Sequence, residues 1–186
     1  MALYAVWVSG AAMWFLWFWP GFRFWRRHPV LTYSLLGSYC ALVGLFVYRS
    51  GEVLLGSTVA VPGWVRAVGW ALIAAAAVLA VAADRQIGLR VRSFVPFFER
   101  SGRIELRTTG AYGIVRHPIY AAGIGFELGV FLLSGALAVL IAAAVLALAA
   151  SWFTRQEERR LLQLLDDPEA YERYRARVPA LFPRLR

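Results

Sequence analysis

The sequence predicts an all-α integral membrane protein. It has about five transmembrane helices, the last two a helical hairpin, with a cytoplasmic connector and an amphipathic C-terminal helix. Three observations predict this. Sixty per cent of the 186 residues are hydrophobic, above the roughly half apolar content of a soluble domain. The excess is blocked into long runs, and a helix needs roughly 20 apolar residues to cross about 30 Å of hydrocarbon. The basic residues fall almost entirely into alternate inter-run segments, the pattern that orients membrane helices.

The first run covers residues 2–19 and has no basic residue before Arg23. It therefore reads as a retained helix rather than a cleaved leader. Trp7, Trp14, Trp17 and Trp19 suit the membrane interface. Pro20-Gly21 ends it, and a linker with Arg23, Arg26, Arg27 and His28 follows. The second run is residues 30–48, with Pro29 at its start, where a missing N–H costs nothing. A polar stretch, residues 49–62, leads to the third run at 64–83, nearly pure Ala, Val and Leu. Residues 84–116 are mixed, basic and too polar to span, with Pro96-Phe97-Phe98 and Ser101-Gly102. They read as a connector lying partly on the membrane surface. The fourth run, 119–133, is short and carries Glu127; Ser134-Gly135 makes a turn, and the fifth run is 136–153. From Thr154 the chain is charged, with Leu161, Leu162, Leu164 and Leu165 forming one apolar face. Residues 1–83 thus form a three-span N-terminal region, and residues 84–186 hold the residues that carry chemistry.

All 20 basic residues are arginine, and the net charge is +9. The two linkers and the tail on one side carry 18 of them, against only Arg49 and Arg66 on the other. The positive side is cytoplasmic, which puts the N-terminus outside and the C-terminus inside a prokaryotic cytoplasmic membrane. In this setting the arginines serve topology and lipid headgroups, and no nucleic-acid partner is expected. Cys40, the single cysteine, can form neither an internal disulfide nor a cysteine-rich metal site. No metal is expected.

The densest informative cluster is Thr109-Gly110-Ala111-Tyr112-Gly113-Ile114-Val115-Arg116-His117-Pro118-Ile119-Tyr120. Glycines permit tight turns, and Pro118 starts the fourth helix. A helix N-terminus offers free N–H groups and partial positive charge, a seat for a carboxylate to which Arg116 and His117 add donors. Tyr112 and Tyr120 supply aromatic faces suited to a sulfonium cation. A second Arg-His-Pro, at residues 27–29, lacks the upstream Gly–Tyr and the following tyrosine and reads as interfacial. From the residues alone, the copy at 116–118 is either a ligand site or a start signal for a membrane helix.

Gly110-x-Tyr112-x-x-x-Arg116-His117-Pro118-x-Tyr120 resembles the signature of the isoprenylcysteine carboxyl methyltransferase family, which overlaps with phospholipid methyltransferases. Glu157-Glu158-x-x-Leu161, then Tyr171-x-x-Tyr174-x-x-Arg177-Val178-Pro179 and Pro183, is similar to that family's tail. Ala111 stands where the family usually has proline, and Leu165-Asp166-Asp167-Pro168-Glu169-Ala170 replaces its Phe–Gly turn. The resemblance implies S-adenosyl-L-methionine as cofactor, held on the cytoplasmic side by Ile104, Glu105, Leu106, Arg107, Tyr112, Arg116, His117, Pro118, Ile119, Tyr120, Glu157 and Glu158. It implies a lipophilic or prenylated acceptor entering from the bilayer. Arg155, Glu158 and Tyr120 would serve catalysis, with Arg155 orienting the acceptor's carboxylate.

Such chemistry needs little acid–base help. The sulfonium activates the methyl, and a carboxylate is already ionised at neutral pH. An amine or thiol acceptor would need a base, with Glu127, Glu157, Glu158, His117 and Tyr120 all open to that role. Glu127 lies on the face of Tyr120 and either lines the substrate pocket or its mouth, or sits near the far headgroups or pairs with an arginine. Two other readings stand beside this one: a sterol-reductase-like enzyme using NADPH, and a noncatalytic membrane subunit.

Overall fold

The computed structural model describes residues 1–14, 18, 20–92, 106–165 and 167–183. Among these residues the chain forms helices and no strand. The helices are α1 (Ala2–Ala12), α2 (Phe22–Arg27), α3 (Pro29–Arg49), α4 (Gly51–Gly56), α5 (Gly63–Arg92), α6 (Ala111–Ile114), α7 (Pro118–Ser134), α8 (Leu137–Leu164) and α9 (Pro168–Arg177). Three segments are long and apolar enough to cross a membrane: Pro29–Arg49, Gly63–Ile87 and Leu137–Arg159. Ala2–Ala12 and Pro118–Ser134 are shorter apolar helices. Each of the five apolar runs therefore contributes a helix.

Two boundaries differ from the sequence reading. The third helix does not stop at Ala83 but continues to Arg92. Nothing there breaks it: residues 84–92 contain no proline, and Arg85, Gln86 and Leu89 favour helix. The last run likewise continues past Phe153 to Leu164 as one helix. The separate C-terminal helix is α9, which starts at Pro168 with Asp167 as N-cap, its side chain accepting from Ala170 N–H at 2.9 Å.

The chain divides into two compact units, Met1–Ala75 with Ile124–Ala149, and Ala76–Gly123 with Ala150–Arg186. In the first, Ala5, Val130, Ala136 and Val139 form a buried core, with Ile73, Phe126 and Phe131 packed on it. Small residues bring backbones close: a Cβ on Gly129 would stand 2.9 Å from the Gly69 carbonyl. Aromatic tips tie α1 to α3, through Trp7 Nε1 to the Cys40 carbonyl and Tyr39 OH to the Gly10 carbonyl, each 2.9 Å. Gly135 turns the hairpin at φ +67, where a side chain would collide with the Val59 carbonyl. That turn pairs with residues 57–59 through Val59 N–H to Gly135 O (2.9 Å) and Leu137 N–H to Ser57 O (3.0 Å). Leu42, Leu45 and Phe46 of α3 are exposed, as side chains facing lipid are.

Candidate functional site

The site belongs to the second unit and begins with a glycine. Gly110 sits at φ +60, ψ −128, a backbone open to glycine alone. Gln86, in the part of α5 beyond its apolar run, fills the space beside it. Its amide donates to Thr109 O at 3.2 Å and accepts from Ala111 N–H at 3.1 Å. A Cβ on Gly110 would overlap the Gln86 amide. After the single turn of α6 the chain extends at Val115 and is stitched to the tail. Arg116 N–H donates to Pro179 O at 2.8 Å, and His117 N–H to Ala180 O at 3.0 Å. Pro118 then opens α7.

This places His117 against two adjacent acids of α8. Nε2 lies 3.0 Å from Glu158 Oε1, and Nδ1 lies 3.4 Å from Glu157 Oε2. The second contact is an ion-pair distance without hydrogen-bond alignment, because Glu157 Oε2 is buried with no hydrogen-bond partner among the described residues. Arg116 reaches Glu158 Oε1 through Nε at 2.9 Å and Nη2 at 2.8 Å. Its Nη1 donates to Arg175 O at 3.1 Å and also to Val178 O. Burial acts to lower the pKa of His117, but the bond to Glu158 and the closeness and charge of both glutamates outweigh it, so the net shift is upward. Both ring nitrogens thus face carboxylate oxygens.

Aromatic side chains line the cluster. The Tyr120 ring lies 6.0 Å from that of His117 and meets Phe153 edge-on at 5.8 Å. Tyr174 OH donates to the Tyr112 carbonyl at 2.6 Å. Burial, with the charges of Glu157 and Asp84, pushes the Tyr112 phenol up to about 12, so it keeps its proton at neutral pH. Tyr171, Tyr174 and Leu181 are buried and anchor the tail.

Of the residues expected at a site, Tyr112, Arg116, His117, Tyr120, Glu157 and Glu158 come together. Pro118 is buried beneath the first turn of α7, while Ile119 is exposed. Leu106 is half-buried and Arg107 exposed in the approach to Gly110; Ile104 and Glu105 lie outside the described residues. Arg155 is exposed on α8. Glu127 belongs to the first unit. It is fully buried, and its Oε1 accepts from Ser9 Oγ at 2.5 Å, while Oε2 has no partner among the described residues. Sequence reasoning missed Gln86, Ser9 and Arg175. Ser9 is the one serine or threonine in the first run, a signal readable only once α1 is known to pack beside Glu127.

The donor balance states what the cluster can hold. Glu158 Oε1 is saturated by Arg116 and His117, whereas among the described residues Oε2 meets Arg175 Nε, at 3.6 Å. With Glu157 Oε2, that leaves two carboxylate oxygens for a ligand's hydroxyl or ammonium donors. The first-turn N–H groups of Ile119 and Tyr120 have no acceptor within their own helix and suit a ligand carboxylate.

A family model described as phospholipid methyltransferase matches residues 64–165, more than half of the 186-residue chain. The match takes in α6, α7, His117, Glu157 and Glu158. No curated protein and no solved structure matches the chain. With the fold, the clustered residues and this match in hand, the chain belongs to the phospholipid methyltransferase family, a family of membrane methyltransferases.

Proposed function

We propose that the chain moves a methyl group from S-adenosyl-L-methionine to a lipophilic acceptor whose nucleophile is already an anion, foremost the carboxylate of an isoprenylcysteine-like lipid. The observation that carries this reading is the state of His117. Its two ring nitrogens face Glu158 at 3.0 Å and Glu157 at 3.4 Å, so the one imidazole of the site is engaged and not free to act as a base. A carboxylate acceptor needs none.

When bound, the cofactor supplies a methyl made electrophilic by the sulfonium. The protein's own residues do the rest. Glu157 Oε2 and Glu158 Oε2 accept from hydroxyl or ammonium groups. The start of α7 receives a carboxylate, and the Tyr120 ring offers its face to the sulfonium. The buried tyrosines of the tail exclude water. Arg155 is exposed and three residues before Glu158 on α8, free to meet an acceptor's carboxylate and hold it in line. Residues 84–186 form the catalytic core on this reading, with the site facing the cytoplasm.

The family match favours a second acceptor, a phospholipid headgroup amine. That nucleophile must lose a proton, and on this second reading Glu157, whose Oε2 makes no hydrogen bond among the described residues, would take it. One experiment separates the readings. Purified protein in lipid nanodiscs is titrated with S-adenosylmethionine and with NADPH, then given methyl-labelled cofactor with a farnesylcysteine acid or with phosphatidylethanolamine. Binding of the methionine cofactor and label on the acid are expected. Label on the amine alone would overturn the acceptor, and failure to bind the cofactor would overturn the function.

A further inference from the structure

We infer that Arg116 is a positioning residue, which fixes Glu158 and the end of α9 and does not itself touch the cofactor. The inference rests on the function proposed above. A guanidinium has five N–H donors and no acceptor. In Arg116, Nε is committed to Glu158 Oε1 at 2.9 Å, and Nη2 stands over the same oxygen at 2.8 Å. Nη1 has two hydrogens, and two carbonyls take them, Arg175 O at 3.1 Å and Val178 O. One hydrogen on Nη2 remains, on a side chain only 10% exposed. The backbone N–H of Arg116 is also spent, on Pro179 O at 2.8 Å.

These contacts have two consequences. The two carbonyls close the last turn of α9, where helix geometry leaves acceptors unpaired and a cation is favoured. Glu158, 5% exposed, has one oxygen drawn onto Arg116 and His117, so its other oxygen is the one presented outward. Arg116 thus decides which carboxylate oxygen a ligand meets. On this inference Arg116 acts on the ligand through Glu158 rather than by donating to the ligand's carboxylate.

The test compares S-adenosylmethionine with its decarboxylated analogue by calorimetry on full-length protein in nanodiscs, for wild type, Arg116→Gln, Glu158→Gln and the double variant. Losing a charge-assisted bond predicts roughly 10- to 100-fold weaker binding for Arg116→Gln. The same factor is expected for both ligands, shrinking to about threefold or less when Glu158 is already Gln. A loss that vanishes with the decarboxylated ligand would make Arg116 a direct ligand and overturn the inference. Independent, multiplying effects in the double variant would overturn it too. Should Arg116→Gln fail to fold, Arg116→Lys carries the same comparison, since a single ammonium cannot bridge Glu158 and both carbonyls. If wild type binds neither ligand, the proposed function fails instead.

Discussion

Ser9→Ala removes one hydroxyl from α1 and takes from Glu127 the only hydrogen bond it makes among the described residues. Glu127 is fully buried, so water offers no replacement. Two magnitudes compete. Hydrogen bonds between membrane helices average about 0.6 kcal/mol and reach about 1.7, because the unfolded reference also finds partners. Stranding a buried polar group costs about 1–3 kcal/mol. Glu127 has no second partner to turn to, so the upper part of the membrane range applies, and about 1.5 kcal/mol is expected. The assay is reversible unfolding in mixed micelles, titrated with a denaturing detergent and followed by tryptophan fluorescence. Glu127→Gln keeps a group that can bond Ser9, and should cost under about 0.5 kcal/mol by the same reasoning. Ser9→Ala with Glu127→Leu removes both partners and should recover most of the single-variant loss. A neutral Ser9→Ala, or additive losses in the pair, would refute the idea that this bond fastens α1 to the hairpin.

Three further outcomes follow from the site. His117 has a raised folded-state pKa, so its contribution to stability is full below the unfolded value near 6.5 and is lost as pH rises through the folded value. Thermal midpoints measured from mildly acidic to mildly alkaline pH should fall across that window, and His117→Gln should flatten the decline. Gly110→Ala puts a side chain at φ +60 and into Gln86; a loss of about 1–3 kcal/mol with weakened cofactor binding is expected, measured by unfolding and calorimetry. Asp167→Ala removes the α9 cap and should cost about 1 kcal/mol, seen as faster amide exchange through residues 170–177, with the other helices unchanged.

The helices were legible in the sequence because lipid demands long apolar runs, and residues 30–48, 64–83 and 136–153 supply them. Their ends were less so. Hydropathy marks where a helix leaves the apolar layer, not where its hydrogen bonding stops, and both α5 and α8 run on into charged sequence. The histidine was readable from the Gly–Tyr and Arg-His-Pro block, and the acids from a tail motif that resembles one family's. Gln86 and the carbonyls of Arg175, Val178, Pro179 and Ala180 were not. A backbone acceptor leaves no mark in a sequence, and a lone glutamine after an apolar run looks like any polar boundary residue.

The second unit is discontinuous, built from residues on either side of the α7–α8 turn. His117 and Arg116 are made early, but their backbone partners are Pro179 and Ala180. Synthesis therefore imposes a schedule. The hairpin must be threaded into the membrane, and some sixty residues must leave the ribosome after His117, before these backbone bonds can form. Glu157 and Glu158, the acids beside His117, emerge before those carbonyls do. A nascent chain stalled short of residue 180 would hold Arg116 and His117 without the backbone acceptors that fasten them to the tail.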